Sequence, residues 1–425
     1  MKRLFKIIFC SVCLFFLAVA CQSLNEISNM SDQEILSNIE KHKPSNGHKI
    51  PRDMYKRIGA THVGGKYYLT NEPFIIEGCR KLHEMGFGVL KLWFYKGVSG
   101  YPYNSDWKLP EQITYKQLAE HPYYKTCFDM PFNTIALSVG GAALKTTNET
   151  ALAEEAEMYE LTKYLLQEYK DRDVEFIIHN WEGDWLIRGG TGNNAHWSRK
   201  NNTHTQAVDG DKYTVEVPAD SLQRVEAMVK WFTARQKGIE RARSEISNTK
   251  CRVYHAIEAN RVMDSMEGIP GIINYVLPQV RVDMVSWSCY DGLDKTGLKL
   301  YRGIEYIKKK FTPSKYMKGE KKVFLGEIGI PEQRNEGVMT EELIVANWDT
   351  YVGVCLALDV PYLIHWELYC NEPKDDTLRK SREIRKTEEM RGFWLIRPDG
   401  TKSFAGKYFE LLLANQGKSI QLPDK

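Results

Sequence analysis

Lys322-Val323-Phe324-Leu325-Gly326-Glu327-Ile328-Gly329 sets a carboxylate where a short apolar run meets a glycine turn. Desolvating a carboxylate is costly unless a partner or a reaction calls for it, which makes Glu327 a candidate for chemistry rather than packing. Ile177-Ile178-His179-Asn180-Trp181-Glu182-Gly183-Asp184-Trp185 has the same order, an apolar run followed by carboxylates. Both runs suit strands covered on two faces, and such strands pair in parallel.

Six more runs of this kind lie outward from these two. The full set of predicted strands is 57–63, 89–94, 133–139, 174–180, 252–257, 284–287, 322–327 and 362–367. Between them apolar residues step by three and four: Met158, Leu161, Leu165, Tyr169; Leu222, Val225, Val229, Phe232; Leu300, Ile304, Ile307, Phe311; Ile344, Trp348, Tyr351, Cys355, Leu358. Each set is one buried stripe of an amphipathic helix. Strand and helix alternating eight times predict an α/β fold, a single-domain (β/α)8 TIM barrel. The other arrangement with this alternation, a doubly wound open sheet, lacks the G-x-G-x-x-G that would follow a first dinucleotide-binding strand.

The amino-terminal residues read differently. Met1-Lys2-Arg3-Leu4-Phe5-Lys6 is basic, and the apolar stretch 7–20 ends at Cys21. This predicts a secretory signal over 1–20, too short to span a bilayer comfortably. Ala18-Val19-Ala20-Cys21 resembles the lipobox of bacterial lipoproteins, with alanine in place of the usual leucine. That resemblance implies a lipid on Cys21 and an exported chain anchored to the outer membrane, at its periplasmic face or at the cell surface. Residues 21–50 are polar and predict a lipidated tether with one short helix, the catalytic barrel occupying 51–425.

Without its first 20 residues the chain carries 55 basic and 55 acidic side chains. Near-neutral charge argues against nucleic acid or an anionic membrane surface as a partner, so membrane contact is expected through the lipid alone. Cys79, Cys127, Cys251, Cys289, Cys355 and Cys370 show neither C-x-x-C nor zinc-like spacing. They read as small buried residues, with room for one disulfide, and no metal or other cofactor is expected.

Barrel active sites form at the carboxyl ends of the strands. The residues there are His62; Lys91 and Trp93; Ser138; Asn180, Glu182 and Asp184; His255, Glu258 and Asn260; Trp287 and Tyr290; Glu327; and His365, Trp366 and Glu367. Two long connections, 96–131 and 183–218, add Tyr101, Tyr103, Trp107, Tyr123 and Tyr124, and Trp185, Arg188, Trp197 and His204. Loops of that length on a barrel shape a substrate site. Amides and carboxylates bond hydroxyls, and indole faces cover the C–H faces of a sugar ring, so the mixture suits a carbohydrate. Two carboxylates on separate strand ends are the minimum equipment for cleaving a glycosidic bond.

These residues resemble clan A glycoside hydrolases, retaining (β/α)8 enzymes. Phe324-Leu325-Gly326-Glu327-Ile328-Gly329 is similar to their seventh-strand motif, Trp366 stands where an eighth-strand Trp is common, and Tyr290 where a sixth-strand hydroxyl touches the nucleophile. Gly392-Phe393-Trp394-Leu395-Ile396-Arg397-Pro398-Asp399-Gly400-Thr401 is similar to the segment before their last helix. The resemblance implies Glu327 as nucleophile and Glu182 as acid/base. It also implies a poly- or oligosaccharide substrate, with Asn180, Asp184, Trp185, Glu258, Asn260, Trp287, Tyr290, His62, Trp93, Trp366 and Glu367 around it. One departure stands out. The clan has Asn and Glu adjacent on the fourth strand, whereas Trp181 separates Asn180 from Glu182, so a twist or bulge is needed there, with Asp184 and Glu258 as alternatives for the acid.

Two other readings remain at this level. His62, His179, His255 and His365 lie on four strands, as ligands do in metal-dependent barrel hydrolases. A lipid-anchored protein that binds glycans without cleaving them is the other. Arg188, Arg199 and Lys200 offer a local site for an acidic group on a sugar.

Overall fold

The computed structural model describes residues 30–188, 220–334, 337–380 and 383–422. Among these, eight parallel strands close into a barrel in chain order: β1 (Ile58–His62), β2 (Val89–Phe94), β3 (Thr134–Val139), β4 (Glu175–His179), β5 (Arg252–Ala259), β6 (Met284–Ser288), β7 (Lys322–Ile328) and β8 (Leu363–His365). β1 pairs with both β2 and β8, so no edge is left open. This is the expected (β/α)8 architecture.

Helices α1 (Asp32–His42), α2 (Phe74–Glu84), α3 (Tyr115–Glu120), α4 (Pro122–Asp129), α5 (Asn148–Glu168), α6 (Gly183–Arg188), α7 (Ser221–Glu245), α8 (Val262–Met266), α9 (Leu298–Lys310), α10 (Glu341–Ala357) and α11 (Phe404–Ala414) surround it. The predicted stripes are buried, except that Leu222, in the first turn of α7, is 71% exposed and Val229 is half-buried. No helix among the described residues is long and apolar enough to cross a membrane. All six cysteines from Cys79 to Cys370 are buried and free.

The expected tether is partly corrected. From residue 30 onward it belongs to the barrel's outer layer: α1 starts with a capping box between Ser31 and Glu34 and packs on α10, burying Ile35 and Ile39 completely. Two isoleucines four residues apart are enough to anchor an otherwise polar helix. Residues 1–20 and Cys21 lie outside the described residues.

Side-chain alternation fixes what reaches the barrel interior. Phe94 packs on Tyr124 and Phe128 in the outer layer, so Val89, Lys91 and Trp93 face inward. Ser138 and His179 share that inward face through the register Trp93–Ser138–His179. β7 departs from strict alternation. Ser286 and Ser288 pair with Phe324 and Glu327, and Leu363 and His365 pair with Leu325 and Ile328, so β7 spends three residues where each neighbour spends two. The surplus residue lets Gly326 and Glu327 both turn inward. Gly326 has to be glycine, because an added Cβ would fall 1.9 Å from Ser286 Oγ and 2.6 Å from Glu258 Oε2.

Candidate active site

β4 ends at His179, one residue earlier than predicted. Glu182 then takes φ +30°, a left-handed conformation that costs a non-glycine residue on the order of 1–3 kcal/mol. This is the twist that the Asn-Trp-Glu spacing required. Two clips hold it. Asn180 donates from Nδ2 to the Glu258 carbonyl (3.0 Å) and accepts from the Glu258 N–H (2.9 Å), and Asp184 accepts from the N–H groups of Asn260 (2.8 Å), Arg261 (3.0 Å) and Ile272 (2.8 Å). Asn260 Oδ1 in turn accepts the Asp184 N–H at 3.1 Å. Asn180, Asp184 and Asn260, expected to bind substrate, staple the end of β4 to the end of β5. With both its oxygens taken, Asp184 does not serve as the alternative acid.

Glu258, the other alternative, is fully buried. Its Oε1 accepts the Glu182 N–H (3.1 Å), and its Oε2 accepts from Ser286 Oγ (2.7 Å) and Lys91 Nζ (3.4 Å). Burial by itself would raise this carboxyl, but Lys91, His179 and these donors outweigh it and hold the group below its ordinary range. An anion so firmly held is a poor proton donor.

Lys91 Nζ also reaches Glu327 Oε2 (3.2 Å) and the Gly326 carbonyl (2.9 Å), while Tyr290 Oη donates to Glu327 Oε1 (3.3 Å). Burial would depress the Lys91 ammonium, yet Glu258 and Glu327 together leave it raised and charged. Burial pushes Glu327 up to about 7, with Lys91 opposing and Glu258 reinforcing the rise. Glu182 is 8% exposed and Glu327 3%. Glu182 Oε1 accepts a hydrogen bond from Ser288 Oγ at 2.6 Å. Burial and then the charge of Glu327 push it well above the ordinary carboxyl range. Glu182 and Glu327 thus stand close enough to feel each other's charge, in contrasting surroundings.

Aromatic walls complete the mouth. The Trp93 ring lies 6.2 Å from Trp181 and 6.4 Å from Trp366. Trp366 Nε1 donates to Glu372 (3.3 Å), itself bonded by Arg391 (3.3 Å), and Phe393 stands edge-on to Tyr290. Glu367 is buried, one oxygen accepting the Asn371 N–H at 2.8 Å.

Several expected site residues lie elsewhere. His62 packs behind β1 against Gly78 and Phe74, its Nε2 donating to the Phe74 carbonyl. Trp287 points outward onto Gly292 and Gly303. His255 meets Gln236 of α7, and His365 packs on Trp348 and Phe409. With three of the four histidines facing the helical layer, they cannot converge on one metal ion, and the metal-hydrolase reading is set aside. Tyr101, Tyr103 and Tyr124 are core residues: Tyr101 bonds the Trp93 N–H and the His62 carbonyl (both 3.0 Å), and Tyr124 the Trp93 carbonyl (2.7 Å). Trp185 lies under the Arg261 guanidinium. Arg188 is buried against Asp264 (2.9 Å) and the Pro270 carbonyl (3.3 Å), closed to any acidic sugar. Trp197, Arg199, Lys200 and His204 lie outside the described residues.

Sequence reasoning missed Ser286 and Ser288 and undervalued Lys91. A period of two counted from Met284 puts both serines on the face opposite Trp287, a signal present in the sequence. A cavity of about 440 Å³ at the opposite end of the barrel is lined by Arg57, Asp173, Glu175, Arg252 and Asp359, which pair among themselves and hold none of the groups above.

No family model matches the chain, and no curated protein matches it. Solved structures similar to it include ZgEngAGH5_4 in complex with a cellotriose (12% identity, 86% of this chain and 98% of that one, TM-score 0.46). Others are a GH5_18 from Bifidobacterium longum subsp. infantis (12%, 85% and 79%, 0.48) and the virulence factor SghA with its substrate analog salicin (9%, 92% and 99%, 0.47). At that distance the chemistry has to be read from the pocket's own side chains.

Proposed function

We propose that this protein is a glycoside hydrolase acting on a poly- or oligosaccharide with retention of configuration. Glu327 attacks the anomeric carbon. Glu182 gives its proton to the departing oxygen and then takes one from the incoming water. The observation that carries the reading is the asymmetry of the pair: Lys91 and Tyr290 oppose the rise that burial imposes on Glu327, whereas burial and the charge of Glu327 keep a proton on Glu182 against the pull of the Ser288 hydroxyl. Two carboxyls whose surroundings part them in this way divide into a base and an acid. The rings of Trp93, Trp181 and Trp366 supply apolar faces for a sugar.

Incubation with a panel of plant and microbial polysaccharides and aryl glycosides tests it. The first-formed reducing sugar, followed by proton NMR, is expected to keep the anomeric configuration of the substrate. Glu327→Gln is expected to abolish turnover, and Glu182→Gln to lower it about 10²- to 10⁴-fold. An inverted product would rule out retention, and activity surviving Glu327→Gln would rule out the nucleophile. Glycan binding without turnover by the parent protein would favour the non-catalytic reading.

We also propose export and lipid anchoring through Cys21, supported by the basic-then-apolar amino terminus. Incorporation of labelled palmitate that Cys21→Ala abolishes is the expected result.

A further inference from the structure

We propose that Trp93, Ser138 and His179 form a hydroxyl-reading row in the pocket, built for an uncharged sugar ring. The proposal rests on the glycosidase reading and names the substrate class of that same site. These residues are Cα partners on three adjacent strands, all on the inward face. Each carries a buried polar atom with no hydrogen-bond partner: Trp93 Nε1, Ser138 Oγ and His179 Nε2. Buried polar groups are nearly always paired, so three in one register row call for a guest.

Their polarities are complementary. Trp93 Nε1 can only donate. His179 Nδ1 lies 2.7 Å from the Asn180 carbonyl, which can only accept, so the proton sits on Nδ1 and Nε2 presents a lone pair. Ser138 does both, and the Tyr95 hydroxyl stands beside it. A hydroxyl that accepts from the indole and a neighbour that donates to the imidazole would satisfy the row, which is the pattern of vicinal hydroxyls on a sugar. Tyr101 and Tyr124 fix the Trp93 backbone, so the row is held ready.

The guest should be neutral. Among the described residues, Lys91 is engaged by Glu258 and Glu327, Arg188 by Asp264, Arg235 by Glu154 and Arg391 by Glu372. With the carboxylates of Glu258 and Glu327 nearby, a sugar carboxylate would meet repulsion.

The test is titration of the full chain carrying Glu327→Gln with glucose, galactose, mannose, xylose, glucuronate and galacturonate, read by calorimetry and by the nitrogen signals of His179. At least one neutral sugar is expected to bind and to shift the His179 Nε2 signal. Ser138→Ala and Trp93→Phe are each expected to weaken it roughly 2- to 12-fold, the scale of one neutral hydrogen bond. Circular dichroism checks folding, and Ser138→Cys replaces Ser138→Ala if the latter unfolds. Tighter binding of the uronates, absence of sugar binding, or neutral-sugar affinity indifferent to the substitutions would overturn the proposal. Glycan hydrolysis by the parent protein together with such indifference sinks the row alone. Row-dependent sugar binding without any hydrolysis sinks the glycosidase reading and leaves the row standing as a binding site.

Discussion

Glu258 grips Glu182 by its backbone: Oε1 of the former accepts the N–H of the latter at 3.1 Å, while Oε2 shares Lys91 with Glu327. One buried anion therefore supports the strained backbone of Glu182 and biases the charge of Glu327, the proposed nucleophile.

Glu258→Gln keeps the shape of that contact and removes its charge. Because Glu258 raises the Glu327 carboxyl, its neutralisation should lower it, moving the acid limb of the kcat/KM profile to lower pH. Lys91→Met removes the opposing influence and should move the same limb upward. Both shifts are measured on any turned-over aryl glycoside, and a limb unmoved in both variants would detach Lys91 and Glu258 from the nucleophile.

The raised carboxyl of Glu182 also links stability to pH. A carboxyl whose folded value lies above its unfolded one favours the fold fully below the unfolded value, near 4.5, and loses that contribution as pH climbs through the folded one. Glu182→Gln cannot ionise, so its melting temperature should exceed that of the parent at pH 8 and match it near pH 4. Equal melting temperatures at both values would contradict the buried, protonated acid.

Gly326→Ala tests the crowding inside the barrel. The new methyl is forced against Ser286 and Glu258, and a shift of either disturbs Lys91 and thereby Glu327. Turnover should fall at least about tenfold, since misplacement on the ångström scale is felt strongly in positioned chemistry. Near-parental kcat would mean that the strand relaxes around the methyl without consequence.

Ile39→Ala probes the amino-terminal helix. A fully buried isoleucine replaced by alanine costs about 2–5 kcal/mol, so the urea midpoint should drop well below that of the parent. An unchanged midpoint would mean that α1 contributes nothing to the barrel.

The barrel itself was legible because both faces of each strand are apolar and each helix shows one stripe; all eight predicted strands are present. Glu182 and Glu327 were legible as carboxylates ending such runs. The orientations of their neighbours were less so. His62 and Trp287 lie at or next to the ends of predicted strands, which points them to the mouth, but alternation sends them to the helices. Asn180 and Asp184 looked like ligands for hydroxyls, and only the tertiary approach of β5 shows their bonds already spent on backbone. Residues 30–50 looked too polar to pack, since composition averages over the two isoleucines that matter.

Glu327 owes its place to a surplus of one residue in β7. Shortening that strand by a single position upstream of the bend would restore regular pleating and turn the nucleophile out among the helices. The tetrapeptide 326–329 would still read intact in such a chain, so the count of residues along β7, as much as the motif it carries, decides which way this carboxylate faces.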